Sequence, residues 1–219
     1  MGILGRYDTL VWDFNGTLLD DVDLGILCAN EMLVRRGLPT IPDRKRYFEI
    51  FGFPIEGYYR RLGFDFSREP YEVLAHEWIA EYRARERDVP LREGAVELLA
   101  AVKAAGVPQA ILSATESSML REQLSDLGIL GYFNEVVGRG DIYAPDKTAL
   151  ARRWAEERKP GRCLLVGDTE HDLACAKAAD FDCLLVRGGH TSDLDLDKLD
   201  CRVARDLFAV KEVLFGAET

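Results

Sequence analysis

The sequence predicts an α/β protein: a doubly wound, Rossmann-like parallel-sheet core interrupted by an inserted all-helical cap domain. Three observations predict it. Short runs of Val, Ile and Leu alternate with amphipathic stretches through most of the chain, and continuous apolar runs mark strands buried on both faces. Residues 19–88 break the alternation and carry helical periodicity only. Glycine and proline punctuate the joins, as at Gly106 and Pro108, where a helix must stop before the next strand begins.

The elements follow in order. Thr9-Leu10-Val11-Trp12 is the first strand. The insertion then opens with a helix from Val22 through Ile26, Ala29 and Leu33, stopped by Gly37 and Pro39. After Pro70 a second clear helix sets Tyr71, Leu74, Ala75, Trp78, Ile79 and Tyr82 on one stripe. Beyond the insertion, Gly94 to Ala105 reads as a helix with Val96, Leu99 and Val102 inward, leading to the strand Gln109-Ala110-Ile111-Leu112. Ser117 is an expected N-cap for a helix burying Leu120, Leu124 and Leu127. Glu135-Val136-Val137, Cys163-Leu164-Leu165-Val166 and Cys183-Leu184-Leu185-Val186 complete the strands, with a helix carrying Leu150 and Trp154 among them. The alternation implies one core, residues 1–18 and 89–219, with residues 19–88 inserted as the cap. Its ligand site belongs at the carboxyl ends of the strands.

Composition bounds the function. The 219 residues are 47% apolar and 30% charged, with no low-complexity tract, which excludes fibrous and disordered classes. A net charge of −10 argues against broad nucleic-acid or anionic-membrane binding. There is no apolar run long enough to span a bilayer and no signal-peptide pattern at the N-terminus, so the expected compartment is the cytoplasm. The five cysteines include no C-x-x-C, and most, flanked by apolar residues, read as small core hydrophobes in a reducing environment.

Four segments at strand ends or helix starts carry candidate chemistry. Asp13-Phe14-Asn15-Gly16-Thr17 follows the first strand, and Ser113-Ala114-Thr115 follows the second. Lys147 opens a helix, and Gly167-Asp168-Thr169-Glu170-His171-Asp172 follows a buried strand. Each alone has an ordinary structural reading: an Asn-Gly turn, a serine cap, a solvated lysine, and acids favoured at a helix N-terminus. An acid directly after an apolar strand is the stronger hint of a metal ligand.

Together, in this order, the four segments resemble the motifs of the haloacid-dehalogenase superfamily: D-x-D-G-T, a strand-end Ser or Thr, a Lys, and G-D-x-x-x-D. The helical insertion is similar to that family's type-1 cap, and the likeness is greatest to its phosphoglycolate-phosphatase-like group. The resemblance implies a Mg²⁺-dependent phosphatase acting on a small phosphorylated metabolite, as monomer or homodimer. By it, Asp13 attacks phosphorus to form an aspartyl-phosphate. Asp13, Asp168 and the Asn15 carbonyl hold Mg²⁺, and Asp172 acts through water or orients Lys147. Asn15, Gly16, Thr17, Ser113, Ala114 and Lys147 bind phosphate, with Lys147 screening it from the Asp13 carboxylate.

Position 15 departs from the pattern, because the family's acid/base carboxylate is here an amide. General acid–base help is worth roughly 10²–10⁴-fold, so its loss needs an explanation. One is a substitute group: His171, inside the fourth segment, is the first candidate, and His190 in Gly188-Gly189-His190-Thr191 the second. Another is a substrate with a good leaving group. A third is a protein that binds phosphate esters and turns them over weakly. A metal-independent dehalogenase also lacks the second carboxylate, but Asp168 and Asp172 argue for Mg²⁺. In the insertion, Phe53, Arg60 and Arg61 are the candidates for reading the substrate, Arg60 or Arg61 by pairing with a carboxylate; the alternative is that these aromatics pack the cap and the arginines face water.

Overall fold

The computed structural model describes residues 2–140 and 147–216. In chain order, β1 (Thr9–Trp12) is followed by α1 (Val22–Arg35), α2 (Arg44–Ile50), α3 (Ile55–Leu62) and α4 (Tyr71–Arg83). Then come α5 (Ala95–Ala104), β2 (Gln109–Glu116), α6 (Ser117–Asp126), β3 (Glu135–Arg139), α7 (Lys147–Arg158) and β4 (Cys163–Gly167). The chain ends through α8 (Glu170–Ala178), β5 (Asp182–Val186), α9 (Asp193–Leu196), β6 (Arg202–Ala204) and α10 (Leu207–Phe215). It divides into two compact units, Met1–Asp20 with Leu91–Thr219, and Asp21–Pro90.

The first unit is a six-stranded sheet in the order β3-β2-β1-β4-β5-β6, every neighbouring pair parallel. Side chains alternate between the faces of a strand, and here both faces are covered. Val11, Ala110, Leu112, Cys163 and Leu165 pack with Trp154 of α7 and Cys175 and Ala176 of α8. The intervening residues Leu10, Trp12, Ile111, Leu164 and Val166 are equally buried. That is why these strands read as unbroken apolar runs. Trp12 meets the need of its indole by donating from Nε1 to Gln109 Oε1 at 2.9 Å, and Gln109 passes Nε2 to the Leu99 carbonyl at 3.0 Å.

Some local expectations are corrected. β2 runs on to Glu116 rather than stopping at Leu112, with a register shift against β3 between Leu112 and Glu116. The cap of α6 is Glu116, whose carboxylate accepts from Ser118 and Met119 N–H, so Ser117 is already helical. In α5 the buried set is Ala95, Leu98, Leu99 and Val102, while Val96 is 41% exposed; the i, i+3, i+4, i+7 stripe starts one residue earlier than expected. Leu127 is only half-buried. β6 was not expected at all, because three residues led by an exposed arginine carry no periodic signal.

The second unit is helical throughout. Val22, Ala29, Met32 and Leu33 of α1 meet Tyr47, Tyr58, Tyr59, Leu62 and Leu74 in one apolar cluster. Aromatic contacts supply much of it: Tyr47 stacks on Phe51 at 4.8 Å, and Trp78 stacks on Tyr82 at 5.0 Å. The Asn30 side chain clips the loop after α1 by exchanging two hydrogen bonds with Ile41, at 2.7 and 2.9 Å. Among the described residues no helix is long and apolar enough to cross a membrane.

Candidate active site

The strand order reverses direction at β1: the chain builds β2 and β3 on one side, then crosses to β4 on the other. In open parallel sheets the crevice at such a switch point, beyond the carboxyl ends of the strands, is the ligand site. Asp13 emerges there, its N–H donating to Val166 of β4 at 2.9 Å. The chain then turns sharply, with Thr17 and Leu18 N–H returning to the Phe14 carbonyl. Gly16 has φ +76°, and a Cβ on it would lie 2.4 Å from Asp168 Oδ2 and 2.5 Å from the His190 ring. Only glycine allows the backbone to approach this closely in the left-handed conformation.

Four charged side chains converge at the turn, all nearly inaccessible: Asp13, Lys147, Asp168 and Asp172. Lys147 Nζ donates to Asp13 Oδ1 and to Asp172 Oδ1. Thr17 Oγ1 lies 3.0 Å from Asp13 Oδ2 and 2.8 Å from Asp168 Oδ1. One hydroxyl proton cannot serve both carboxylates. Asp172 is otherwise engaged: its Oδ2 accepts from Thr169 Oγ1 at 2.7 Å, Thr169 N at 3.0 Å and Asp168 N at 3.2 Å. With Thr169 these contacts form the capping box of α8, so the helix start orients the carboxylate that holds Lys147.

The electrostatics follow from burial and charge count. Desolvation, then the Asp172 and Asp168 carboxylates, push Asp13 up to about 8 against the pull of Lys147. Burial likewise raises Asp168, with Asp172 adding to it and His190 and Thr17 opposing. Asp172 goes the other way: burial would raise it, but the Lys147 charge and the hydrogen bonds from Lys147 and Thr169 prevail. Lys147 pays a desolvation penalty that Asp13 and Asp172 more than offset, so it is held protonated. Oxygens of Asp13, Asp168 and Asp172 lie within 4.8 Å of one another. Three carboxylates against one ammonium leave surplus negative charge, and the donors are hard oxygens. That set suits a divalent cation of the Mg²⁺, Ca²⁺ or Mn²⁺ kind.

The phosphate-binding candidates separate into two groups. Ser113, buried in the irregular end of β2, donates to Thr115 Oγ1 at 3.1 Å and accepts from Thr115 N at 3.1 Å. Thr115 in turn donates to Asn15 Oδ1 at 3.1 Å. Ser113, Thr115 and Asn15 are thereby linked in one hydrogen-bonded chain, where β2 shifts register against β3. Gly16 and Thr17 differ. Their N–H groups are committed to Leu19 and Phe14 carbonyls, so these residues shape the carboxylate cluster instead of presenting amides.

The two histidines are placed differently. His171 is the second residue of α8 and half-buried. His190 donates its backbone N–H to Asp168 Oδ2 at 2.6 Å, and its ring lies against Gly16, next to Asn15. Arg92 went unnoticed in the sequence. It donates from Nη1 to the Gly16 carbonyl at 2.8 Å and from Nη2 to the Arg187 carbonyl, tying the Asp13 turn to the His190 loop. Thr169 stood in the fourth segment with no role of its own, and it is the N-cap whose box with Asp172 makes that segment a capped helix start. In the helical unit, Phe53 meets Phe51 edge-on at 5.7 Å, Arg60 lies over Phe66 at 4.4 Å, and Arg61 donates to the Ile50 carbonyl at 2.6 Å.

A family model described as haloacid dehalogenase-like hydrolase matches residues 10–186. The chain is 26% identical to a phosphoglycolate phosphatase of Nitrosococcus oceani, over 98% of this chain and 100% of that protein. The structure of protein tyrosine kinase A (PtkA) of Mycobacterium tuberculosis superposes with a TM-score of 0.78 at 27% identity, covering 95% of this chain and 98% of that one. A predicted phosphatase from Clostridium acetobutylicum shares the fold, with a TM-score of 0.80 at 19% identity over 94% and 97% of the two chains. With the matched region running from β1 to the end of β5 and so enclosing the whole acid cluster, this chain belongs to the haloacid dehalogenase-like hydrolase family.

Proposed function

We propose that the protein is a Mg²⁺-dependent phosphatase that hydrolyses a small phosphomonoester, phosphoglycolate-like in size, through an aspartyl-phosphate on Asp13. The observation that carries this reading is Asp13 itself. It is a buried carboxylate at the switch point of a parallel sheet, with an ammonium on one oxygen and a second carboxylate beyond Thr17. An Asp13 oxygen attacks phosphorus in line, the bond to the leaving oxygen breaks, and water later cleaves the acyl-phosphate. Lys147 lowers the repulsion between the incoming phosphate and the Asp13 carboxylate, while Ser113 and the Ala114 backbone receive phosphoryl oxygens. Asp13, Asp168 and the Asn15 carbonyl would hold Mg²⁺, which supplies charge to draw the ester in and to offset the phosphoryl oxygens.

Asn15 sets the limits of this chemistry. An amide accepting from Thr115 can neither protonate a leaving alkoxide nor activate water. Alkyl esters are therefore slow substrates, and esters with acidic leaving groups are faster. The same residue favours a second reading, in which the pocket holds phosphate esters and turns them over weakly, since one negative charge fewer aids anion binding.

The test uses p-nitrophenyl phosphate and an alkyl phosphate, each with and without Mg²⁺. The parent is expected to hydrolyse the aryl ester only with Mg²⁺, and Asn15→Asp to raise the alkyl rate by roughly 10²–10⁴-fold. His171→Ala and His190→Ala, run alongside, identify which histidine the residual alkyl rate depends on. Saturable binding of the ester without turnover in the parent, with turnover gained in Asn15→Asp, selects the second reading. Absence of turnover in both proteins with Mg²⁺ present would overturn the phosphatase assignment.

A further inference from the structure

The amino ends of β5 and β6 carry two thiols that the site above does not use. The parallel register pairs Leu184 with Arg202, Leu185 with Val203 and Val186 with Ala204. One step back, it sets Cys183 beside Cys201. Neighbouring strands lie about 4.7–4.9 Å apart, inside the roughly 4.4–6.8 Å between Cα atoms that a disulfide spans. The contacts agree with the register: Cys201 Sγ is 3.4 Å from the Cys183 carbonyl oxygen and 3.5 Å from its neighbour's, Arg202. Exposure separates this pair from the rest, since Cys28, Cys163 and Cys175 are buried whereas Cys183 and Cys201 are half-buried. Cys183 packs on the edge of the core cluster from inside β5, whereas Cys201 lies in the bend before β6, so Cys201 is the thiol a small solute meets first.

The two sulfurs are not equivalent. The neighbouring Cys183 thiol, with the Leu185 N–H and the Lys177 charge assisting against burial, holds the Cys201 thiol below its usual range. The proximity of Cys201, and then burial, push the Cys183 thiol up. The thiolate is the nucleophile in exchange chemistry; Cys201, in the bend just before β6 and clear of the core cluster, is the sulfur placed to attack, and Cys183, inside β5 and packed on that cluster, is the one placed to resolve.

We propose that Cys183 and Cys201 form a redox-active dithiol that takes small-molecule disulfides of the glutathione type and closes a reversible bond between β5 and β6. In the first step Cys201 Sγ attacks one sulfur of the small disulfide. A Cys201 mixed disulfide forms, the original S–S bond breaks, and one small thiol leaves with the proton Cys201 gave up. In the second step Cys183 Sγ attacks Cys201 Sγ. The protein disulfide forms, the second small thiol leaves, and it carries the Cys183 proton. Two protein thiols are oxidised and one small disulfide is reduced to two thiols.

The location gives the bond a consequence. β6 is a three-residue edge strand, and β5 runs directly into the loop whose His190 N–H holds Asp168. Closing the bond ties the sheet edge covalently to the strand that supports the carboxylate cluster.

The experiment exposes the folded, full-length protein to glutathione disulfide, quenches by alkylation, and maps the peptides by mass spectrometry. A Cys183–Cys201 linked peptide lacking two hydrogen atoms is expected, preceded by a glutathione adduct on Cys201 and reversed by dithiothreitol. Cys183→Ser should trap that adduct, and Cys201→Ser should react at Cys183 about tenfold more slowly. If either variant loses its circular dichroism spectrum, the wild-type time course decides alone. Absence of the linked peptide, adducts spread evenly over all the cysteines, or an adduct arising first on Cys183 would each overturn the proposal.

Discussion

Thr17 shows how tightly the site is drawn at the scale of single residues. Its hydroxyl sits between Asp13 and Asp168, and once both carboxylates are ionised one of those contacts lacks a proton. Replacing Asp13 by the isosteric amide resolves the conflict, because the new amide N–H donates to Thr17 Oγ1 and frees its proton for Asp168. Asp13→Asn should therefore abolish phosphate-ester turnover and yet stabilise the metal-free protein at pH 8, by on the order of 1–3 kcal/mol. Paired urea and activity titrations check it; a variant less stable than the parent in EDTA would refute the account of the cluster. Asp13, Lys147, Asp168 and Asp172 could be named together from the sequence because their four segments, each ordinary alone, resemble one family's motifs in order. Arg92 could not, since an arginine that serves two backbone carbonyls has no spacing to betray it.

Among the elements, α8 has the clearest functional burden. Its capping box uses Asp172, the carboxylate that also holds Lys147, so helix initiation and lysine placement are one event. Thr169→Ala removes the cap hydroxyl and should cost about 0.5–2 kcal/mol of stability. It should also lower turnover through Lys147, where a thermally equivalent core substitution does not. Thermal melts and kcat for Thr169→Ala and Thr169→Ser, the latter restoring the hydroxyl, check the claim. The strands of the sheet were legible because both their faces are apolar, whereas β6 was invisible and β2 was cut short. The end of β2 is polar, Ser113 to Glu116, and only its pairing with β3 through a bulge makes it strand. Ser117 was likewise displaced as the cap by Glu116, whose longer side chain reaches the same N–H groups.

For the molecule as a whole, the buried acids set a pH dependence. Asp13, lifted to about 8, and Asp168, also raised, keep in the fold protons that an unfolded chain releases near pH 4. The folded state thus binds more protons across the window from about pH 4 to pH 8, and this contribution to stability declines as pH rises through it. Asp172, lowered, and Lys147, raised, stay charged throughout that window and do not reverse the sign. The melting temperature in EDTA should fall between pH 5.5 and pH 8 more steeply for the parent than for Asp13→Asn, and Mg²⁺ should stabilise the parent more at pH 8 than at pH 5.5. Equal slopes for the two proteins would show that the cluster does not titrate in this way. The sequence by itself determined the α/β class and the helical character of the stretch between the first two strands, because periodicity is a local property, and it singled out the four segments that carry the acids and the lysine through their joint, ordered resemblance to one family's motifs. Only the tertiary structure decided which of these residues hydrogen-bond to one another, that the His190 main chain supports Asp168, that Arg92 ties two loops together and that Cys183 meets Cys201. Those depend on strand order and register, which bring together residues that are far apart in the chain.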